Sequence, residues 1–316
     1  MGDLPLAERP PPRRTAAPPR GGAQRLAPSA RALLAACRPR QWTKNLLVVA
    51  APGAAGVLTR TDVFGKVALT FVCFCMLSSA TYLVNDIHDL EEDRAHPRKR
   101  SRPLASGSIT RAQAIAAALA LAVGGLGLAF AVRPALGAVA GGYLVLTLGY
   151  TFWLRDVAVA DIAAVAGGFV IRALAGGVAT SIPVSRWFLV VTSFGALFLV
   201  AGKRYAELRE SSDSPTRGRG SLRSYSPNFL RFVLTLSATV TITAYCLWAL
   251  QKSHHGRLSW YELTVVPVLL WLLRYALLLD QGHGEAPEEL VGKDRFLLAM
   301  SGAWLALFLC GVYVAG

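Results

Sequence analysis

Charge is scarce in this chain: of 316 residues, 16% are Asp, Glu, Lys or Arg, against roughly 25% in soluble globular domains. That density cannot cover a wet surface. Cysteine is sparse too, and Cys37, Cys73, Cys75, Cys246 and Cys310 form no CxxC pair and show no metal-ligand spacing with the five histidines. Cys73 and Cys75 sit inside an apolar stretch, where a thiol behaves as a small hydrophobe. No redox or zinc centre is expected. The first 40 residues contain no apolar run of roughly 7–15 residues, so no secretory signal is read there. These absences exclude a soluble α/β enzyme, a collagen-like chain and a disulfide-stapled secreted domain.

What is abundant is apolar. Hydrophobic residues make up 53% of the chain, and 33 Lys and Arg against 19 Asp and Glu give a net charge of +14. The basic residues cluster between long apolar runs. A helix needs about 20 mainly apolar residues to cross the hydrocarbon core, and nine segments qualify or nearly so: 44–58, 67–86, 112–132, 135–154, 157–178, 187–206, 229–250, 261–279 and 296–315. The first is short and interrupted by Pro52-Gly53. The expected fold is an all-α polytopic bundle of about nine transmembrane helices embedded in a lipid bilayer. Residues 1–40, with six prolines in the first nineteen positions, read as a disordered basic tail, and residues 41–316 as the membrane domain. Gly141-Gly142, Gly167-Gly168 and Gly176-Gly177 suit close helix packing.

Charge placement orients the bundle. The tail and the connections after segments 2, 4, 6 and 8 carry 25 Lys and Arg, and the other connections carry 6. By the positive-inside rule the former are cytoplasmic and the C-terminus is external.

The most informative stretch is Asn85-Asp86-Ile87-His88-Asp89-Leu90-Glu91-Glu92-Asp93, at the cytoplasmic end of the second segment. At 100° per residue, Asn85, Asp89 and Asp93 fall within about 80° of arc, and Asp86 joins them from the other side. Hard oxygen ligands on one helical face at a membrane boundary suit Mg2+, which takes one or two carboxylates, water and substrate phosphate. The plain alternative is a solvated acidic helix end. The sequel His96-Pro97-Arg98-Lys99-Arg100-Ser101-Arg102-Pro103-Leu104-Ala105-Ser106-Gly107 places Lys99, Arg100 and Arg102 beside the acids. Arginine forks there would bind diphosphate oxygens in bidentate fashion; alone, the same residues would read as a membrane-edge anchor. His88 lies on the other side of the helix from Asp86 and is given no role.

The NDxxDxxxD pattern at Asn85, Asp86, Asp89 and Asp93, continued by Lys99 to Gly107, resembles the first aspartate-rich motif of the UbiA superfamily of intramembrane prenyltransferases. The resemblance implies a helical bundle whose polar cavity opens to the cytoplasm and whose side portal admits a prenyl chain. That superfamily carries a second aspartate-rich motif near the end of the sixth helix. Here the place reads Gly202-Lys203-Arg204-Tyr205-Ala206-Glu207-Leu208-Arg209, with Glu207 as the one carboxylate and Lys203 one turn away. Such a site suits direct anion binding, although Lys203 and Arg204 at the membrane edge also suit simple snorkelling.

This stretch, with Arg38 to Asn45 and the run from Val170 to Gly177, is similar to the branch of decaprenyl-phosphate phosphoribosyltransferases of actinobacterial cell-wall arabinan synthesis. The resemblance implies Mg2+-dependent transfer of 5-phosphoribose from phosphoribosyl diphosphate to a long polyprenyl (decaprenyl) phosphate, in the plasma membrane of a bacterium and at its cytoplasmic face. The catalytic set would be Asp86, Asp89 and Asp93, with Lys203, Arg204, Tyr205 and Glu207 near substrate. Asp161 and Arg172, eleven positions apart, return to one face of their helix. Ionisable groups at membrane depth are usually functional or paired; Arg172 is a candidate for substrate phosphate, and Asp161 for a ligand or a structural partner. Lys44 is placed to meet the donor or the lipid phosphate, and Tyr82 to pack on ribose or in the core. Residues 210–228 read as a flexible cytoplasmic loop closing over the sugar. No nucleic-acid partner is expected, and assembly as a homo-oligomer is left open. The competing readings are an aromatic prenyltransferase using a prenyl diphosphate, which needs the second acidic cluster, and a channel or transporter, which would show a two-fold repeat with broken helices.

Overall fold

A computed structural model describes residues 30–213, 220–252, 259–283 and 287–314, and among these residues eight helices are long and apolar enough to cross a membrane. In chain order the elements are α1 (Ala30–Ala36), a 3-10 stretch (Pro39–Val49), α2 (Ala50–Ala54), α3 (Thr61–His88), α4 (Leu90–Ala95), a 3-10 turn (Lys99–Ser101), α5 (Arg111–Val132) and α6 (Pro134–Phe152). A second 3-10 turn (Leu154–Asp156) leads to α7 (Ala160–Thr180), α8 (Arg186–Asp213), α9 (Gly220–Arg223), α10 (Pro227–Lys252), α11 (Trp260–Leu263), α12 (Val265–Asp280), α13 (Pro287–Lys293) and α14 (Arg295–Tyr313). The spans are α3, α5, α6, α7, α8 as far as Arg209, α10, α11 with α12, and α14. The protein is a multi-pass membrane protein.

These eight match the second to ninth expected segments. The first, 44–58, is a broken helix: the 11-residue 3-10 stretch runs into the 5-residue α2, which contains Pro52 and Gly53 and ends at Ala54. A neighbour imposes this shape. A Cβ on Gly176 of α7 would stand 1.8 Å from the Val48 carbonyl oxygen, so the backbones touch, and Val48 is fully buried. The tail also differs from expectation. Residues 1–29 lie outside the described residues, but Ala30–Ala36 is helical, and Ala36 and Cys37 pack with Leu83, Leu104 and Ile109. The Ala-Leu composition of that stretch favours helix and gives it an apolar face to bury.

Helix ends place the polar groups. The 28 residues of α3 rise roughly 42 Å, more than the ~30 Å of hydrocarbon, which leaves length for its polar ends to stand past the apolar layer. The loop after α4 is pinned by buried Leu104 and Ile109 and ends at the Thr110–Gln113 capping box of α5. Lipid is as apolar as leucine, so helix association rests on close packing and polar contacts, not on the hydrophobic effect. Besides the cluster around Leu83, Leu104 and Ile109, two larger cores supply the packing. One joins Val48, Phe74, Leu77, Leu136, Tyr143 and Ala175; the other joins Ile162, Phe198, Leu230, Tyr275, Leu279 and Leu297. Helix α7 contributes to both, and its two ends carry Asp161 and Arg133's partners, the Val178 carbonyl and Ser181 hydroxyl.

Candidate active site

The acidic motif straddles a break. Asp89 ends α3 and begins α4, so the motif divides into two contacting groups. In the first, Asp86 and Asp93 are almost fully buried and Arg102 bridges them: its Nη1 lies 3.2 Å from Asp86 Oδ1 and 2.6 Å from Asp93 Oδ2. Arg38 donates to the same Asp86 oxygen, and its guanidinium sits 5.0 Å above the Tyr82 ring. Tyr82 thus supports a site arginine. Arg38 itself has φ of 54°, a left-handed conformation that costs a non-glycine residue on the order of 1–3 kcal/mol and gathers at functional sites.

In the second group, Asn85 Nδ2 donates to Asp89 Oδ2 at 3.0 Å, and Arg155 donates to Asp89 Oδ1 at 2.5 Å. Burial raises the Asp89 carboxyl, but hydrogen bonds from His88 and Arg155 outweigh it and hold the group below the usual carboxylate range. The Arg155 guanidinium is correspondingly raised: burial lowers it, and the Asp89 bond and charge more than compensate. His88, on the other side of the helix from Asp86, meets Asp89 instead: its Nδ1 is 2.9 Å from Asp89 Oδ1, and its ring meets Phe152 edge-on at 5.3 Å. The wheel sets His88 against Asp86, whereas the adjacent Asp89 sits where the helix breaks.

Among the described residues, no three carboxylate, histidine or thiol side chains gather closely enough to cage a metal. Mg2+ does not need such a cage, because water and substrate phosphate complete its octahedron. Asp93 Oδ1 is buried and receives no hydrogen bond, with Lys99 Nζ 4.0 Å away. A buried carboxylate oxygen without a donor suits a cation, and the oxygen-rich set of Asn85, Asp86, Asp89 and Asp93 fits Mg2+. Arg100 is exposed on the turn beside Lys99, outside this contact set.

The second polar group lies where α7 meets α8. Arg204, 2% exposed, donates through Nε to Asp161 Oδ2 at 2.8 Å, through Nη1 to Glu207 Oε2 at 2.7 Å and through Nη2 to the Tyr150 hydroxyl at 3.1 Å. Its guanidinium is built into the framework rather than directed to open space. Lys203 is half-buried, with Nζ 4.0 Å from Glu207 Oε1. Tyr205 points to α10, where its hydroxyl accepts from Arg231 Nε at 3.1 Å and Nη2 at 2.9 Å. Asp161, fully buried, also accepts from Tyr225 and lies 3.2 Å from Ser221 Oγ. Burial and that carboxylate push the Tyr225 hydroxyl up to about 12. Asp161 is thus enclosed by Arg204, Tyr225 and Ser221.

Asp161 and Arg172 share α7 but not a site. Eleven residues separate them by roughly 16 Å, and Arg172 bonds Asn45 Oδ1 at 2.7 Å, the Gly168 carbonyl at 2.9 Å and the Tyr143 hydroxyl at 2.7 Å. Lys44 is half-buried in the 3-10 stretch beside Asn45. The expected loop 210–228 is docked in its second half, with Ser221 and Tyr225 buried; residues 214–219 lie outside the described residues.

Sequence reading missed Arg38, Arg155, Ser221 and Tyr225. Arg155 had one signal, as the single basic residue in its connection; Tyr225 and Ser221 had none.

The model of the UbiA prenyltransferase family matches residues 46–301. The chain is 45% identical over 293 residues to a decaprenyl-phosphate phosphoribosyltransferase of Mycolicibacterium smegmatis, covering 89% of this chain and 92% of that protein. It is 46% identical over 275 residues to one of Mycobacterium tuberculosis, covering 86% and 91%. A solved UbiA homologue from Archaeoglobus fulgidus bound to DMAPP and Mg2+ superposes with a TM-score of 0.66 at 16% identity, over 89% of this chain and 99% of that one, which bears on fold alone. Eight spans, an NDxxDxxxD motif at the end of α3 and these matches have one reading: the chain belongs to the UbiA prenyltransferase family.

Proposed function

We propose that this protein transfers 5-phosphoribose from phosphoribosyl diphosphate to a decaprenyl-type polyprenyl phosphate, releasing diphosphate, at the cytoplasmic face of a bacterial plasma membrane, as a step towards cell-wall arabinan. The observation that carries this reading is the 45–46% identity, spread over most of both chains, to enzymes named for that activity. The stretch Gly202–Arg209 supports it, since it holds one carboxylate, Glu207, among Lys203, Arg204 and Arg209 instead of a second acidic motif, and Arg204 is paired with both Glu207 and Asp161.

The chemistry is a displacement at C1 of ribose. The C1–O bond to diphosphate breaks with its electron pair, and a C1–O bond to the acceptor phosphate forms. Bound at Asn85, Asp86, Asp89 and Asp93, Mg2+ would supply Lewis-acid neutralisation of diphosphate charge. The remaining work falls to the chain. Arg38, Arg102 and Arg155 already face the acidic site as fixed cations, and positioned charge of this kind stabilises a departing anion without reorganisation. Lys99 stands at the same edge. The acceptor phosphate is an anion near neutral pH, so the reaction requires no general base.

Purified protein given Mg2+, radiolabelled phosphoribosyl diphosphate and long-chain polyprenyl phosphate is expected to form a labelled lipid and release diphosphate. A prenyl diphosphate with 4-hydroxybenzoate is expected to give no product. Prenylation of the aromatic acid with neglect of the phosphoribosyl donor would overturn the reading and leave family membership intact.

A further inference from the structure

The connection between α6 and α7 delivers Arg155 to the acidic motif, yet it has little apolar anchorage. Phe152, Trp153, Val157 and Val159 are all exposed, by 45, 72, 53 and 54%. Its conformation is also unfavourable on its own, because Val159 is β-branched and has φ of 69°, a region such residues avoid. Something outside the connection must hold it.

Among the described residues, apart from backbone bonds to the flanking helices α6 and α7, the hydrogen bonds from residues 153–159 to other elements go either to Asp89 or to the segment 220–225. The Gly220 N–H donates to Asp156 Oδ1 at 3.0 Å. Ser221 Oγ donates to the Arg155 carbonyl at 2.8 Å. The Val159 N–H donates to the Tyr225 hydroxyl at 2.7 Å, and that hydroxyl donates in turn to Asp161 Oδ1. The clamp is itself anchored: Ser221 is fully buried, and the Tyr225 ring stacks on Phe229 at 5.6 Å with planes 3° apart. One tyrosine hydroxyl therefore links the strained Val159 to the Asp161–Arg204 pair, while Arg155 reaches Asp89 from the other end of the same connection.

We propose that Tyr225 and Ser221 are positioning residues acting through Arg155: they fix the α6–α7 connection so that the Arg155 guanidinium stays at the Asp89 edge of the diphosphate site. The inference rests on the acidic motif being that site, as in the function proposed above. A guanidinium has five N–H donors, and Arg155 uses Nη1 on Asp89 while its Nε lies 3.6 Å from Asp156. A diphosphate arriving beside Asp89 meets an arginine whose backbone is already clamped, so little ordering remains to oppose binding.

The test is a double-mutant cycle on the full chain in detergent, read by calorimetric binding of inorganic diphosphate in Mg2+ and by KM for each substrate. Arg155→Ala is expected to weaken diphosphate about tenfold, as loss of a charge-assisted hydrogen bond does, and Tyr225→Phe about three- to fivefold. Combined, they are expected to match Arg155→Ala within about twofold, because residues acting through one group are not additive. KM for phosphoribosyl diphosphate should follow, with KM for polyprenyl phosphate nearly unchanged. Ser221→Ala, run in the same cycle, takes the place of Tyr225→Phe if the latter does not fold. Multiplying effects, wild-type affinity in either Arg155→Ala or the folded clamp variant, or an equal loss for the lipid substrate would overturn the proposal. A wild-type protein that binds diphosphate but makes no labelled lipid would instead sink the phosphoribosyl reading, with the cycle still readable.

Discussion

Arg102 Nη1 lies 2.6 Å from Asp93 Oδ2, so a buried acid of the motif meets a guanidinium before it meets any other cation. With Arg38 on Asp86 and Arg155 on Asp89, the acidic site is charge-balanced by the chain itself. At the proposed site, a divalent ion would bind at the Asp93 oxygen that has no donor or share the arginines' partners, and an incoming diphosphate would give the arginines a new anion.

Removing one of them exposes that balance. Arg102→Met leaves two buried carboxylates with Arg38 and Lys99. Breaking a fully buried pair costs about 3–5 kcal/mol; Arg102 is 27% exposed, so roughly 2–3 kcal/mol is expected. Thermal unfolding in EDTA should show the loss, and Mg2+ should recover part of it, since the ion replaces the missing charge. Asp89→Ala should remain folded yet lose nearly all turnover, and EDTA should abolish wild-type turnover until Mg2+ is restored. Activity in EDTA would remove the metal from the mechanism.

The contact between Gly176 and the Val48 carbonyl makes a second expectation. A methyl group 1.8 Å from a backbone oxygen has no side chain that can yield, so Gly176→Ala must push the 3-10 stretch away from α7. Overpacking costs typically about 1–3 kcal/mol, occasionally more, and the upper end is expected. Gly141→Ala is the control: its Cβ would meet nothing within 4 Å, and alanine is favoured over glycine in a helix by up to about 1 kcal/mol. Similar melting temperatures for the two variants would show that the close approach is not tight.

These contacts mark what the sequence could reveal. The eight long spans were legible because helices of 19–28 residues with a strongly apolar stretch in each leave few alternatives, and the acidic motif because its spacing is local. The broken first segment was not, since a nearby helix decides between α and 3-10 there. Arg204 and Asp161 were each visible as ionisable groups near a membrane, but their pairing spans 43 residues. Arg155 with Asp89, and Tyr225 with Asp161, are separated by 66 and 64. No periodicity encodes such partners.

Acid should act on the α12–α14 junction. Asp294 caps α14, accepting the Leu297 N–H at 2.9 Å, and Arg274 Nη2 donates to it at 2.8 Å. The Arg274 bond, helped by that backbone N–H, holds its carboxyl below the usual range. A carboxyl depressed on folding contributes stability that is complete above its unfolded value, about 3.9, and lost as pH falls through the folded value. Asparagine preserves a capping oxygen but not the charge. The melting-temperature gap between wild type and Asp294→Asn should be full at pH 6 and close below about pH 4. A gap of constant size would assign it to something other than ionisation.

Orientation is the remaining expectation, and it carries the placement of the site. The acidic motif lies at the end of α3, on the side where Lys99, Arg100 and Arg102 follow, and basic residues there are retained in the cytoplasm. Thr59 precedes α3 on the opposite side and is exposed, as is Ser106 in the loop beyond the motif. In intact cells, a membrane-impermeant maleimide should label Thr59→Cys and spare Ser106→Cys; after permeabilisation both should react. The native thiols Cys37, Cys73 and Cys75 are buried, and the unsubstituted protein supplies the background for Cys246 and Cys310. Labelling of Ser106→Cys from outside would put the diphosphate site on the wrong face for a cytoplasmic sugar donor. That single result would overturn the orientation and the supply of substrate together, whereas the helix assignments would stand.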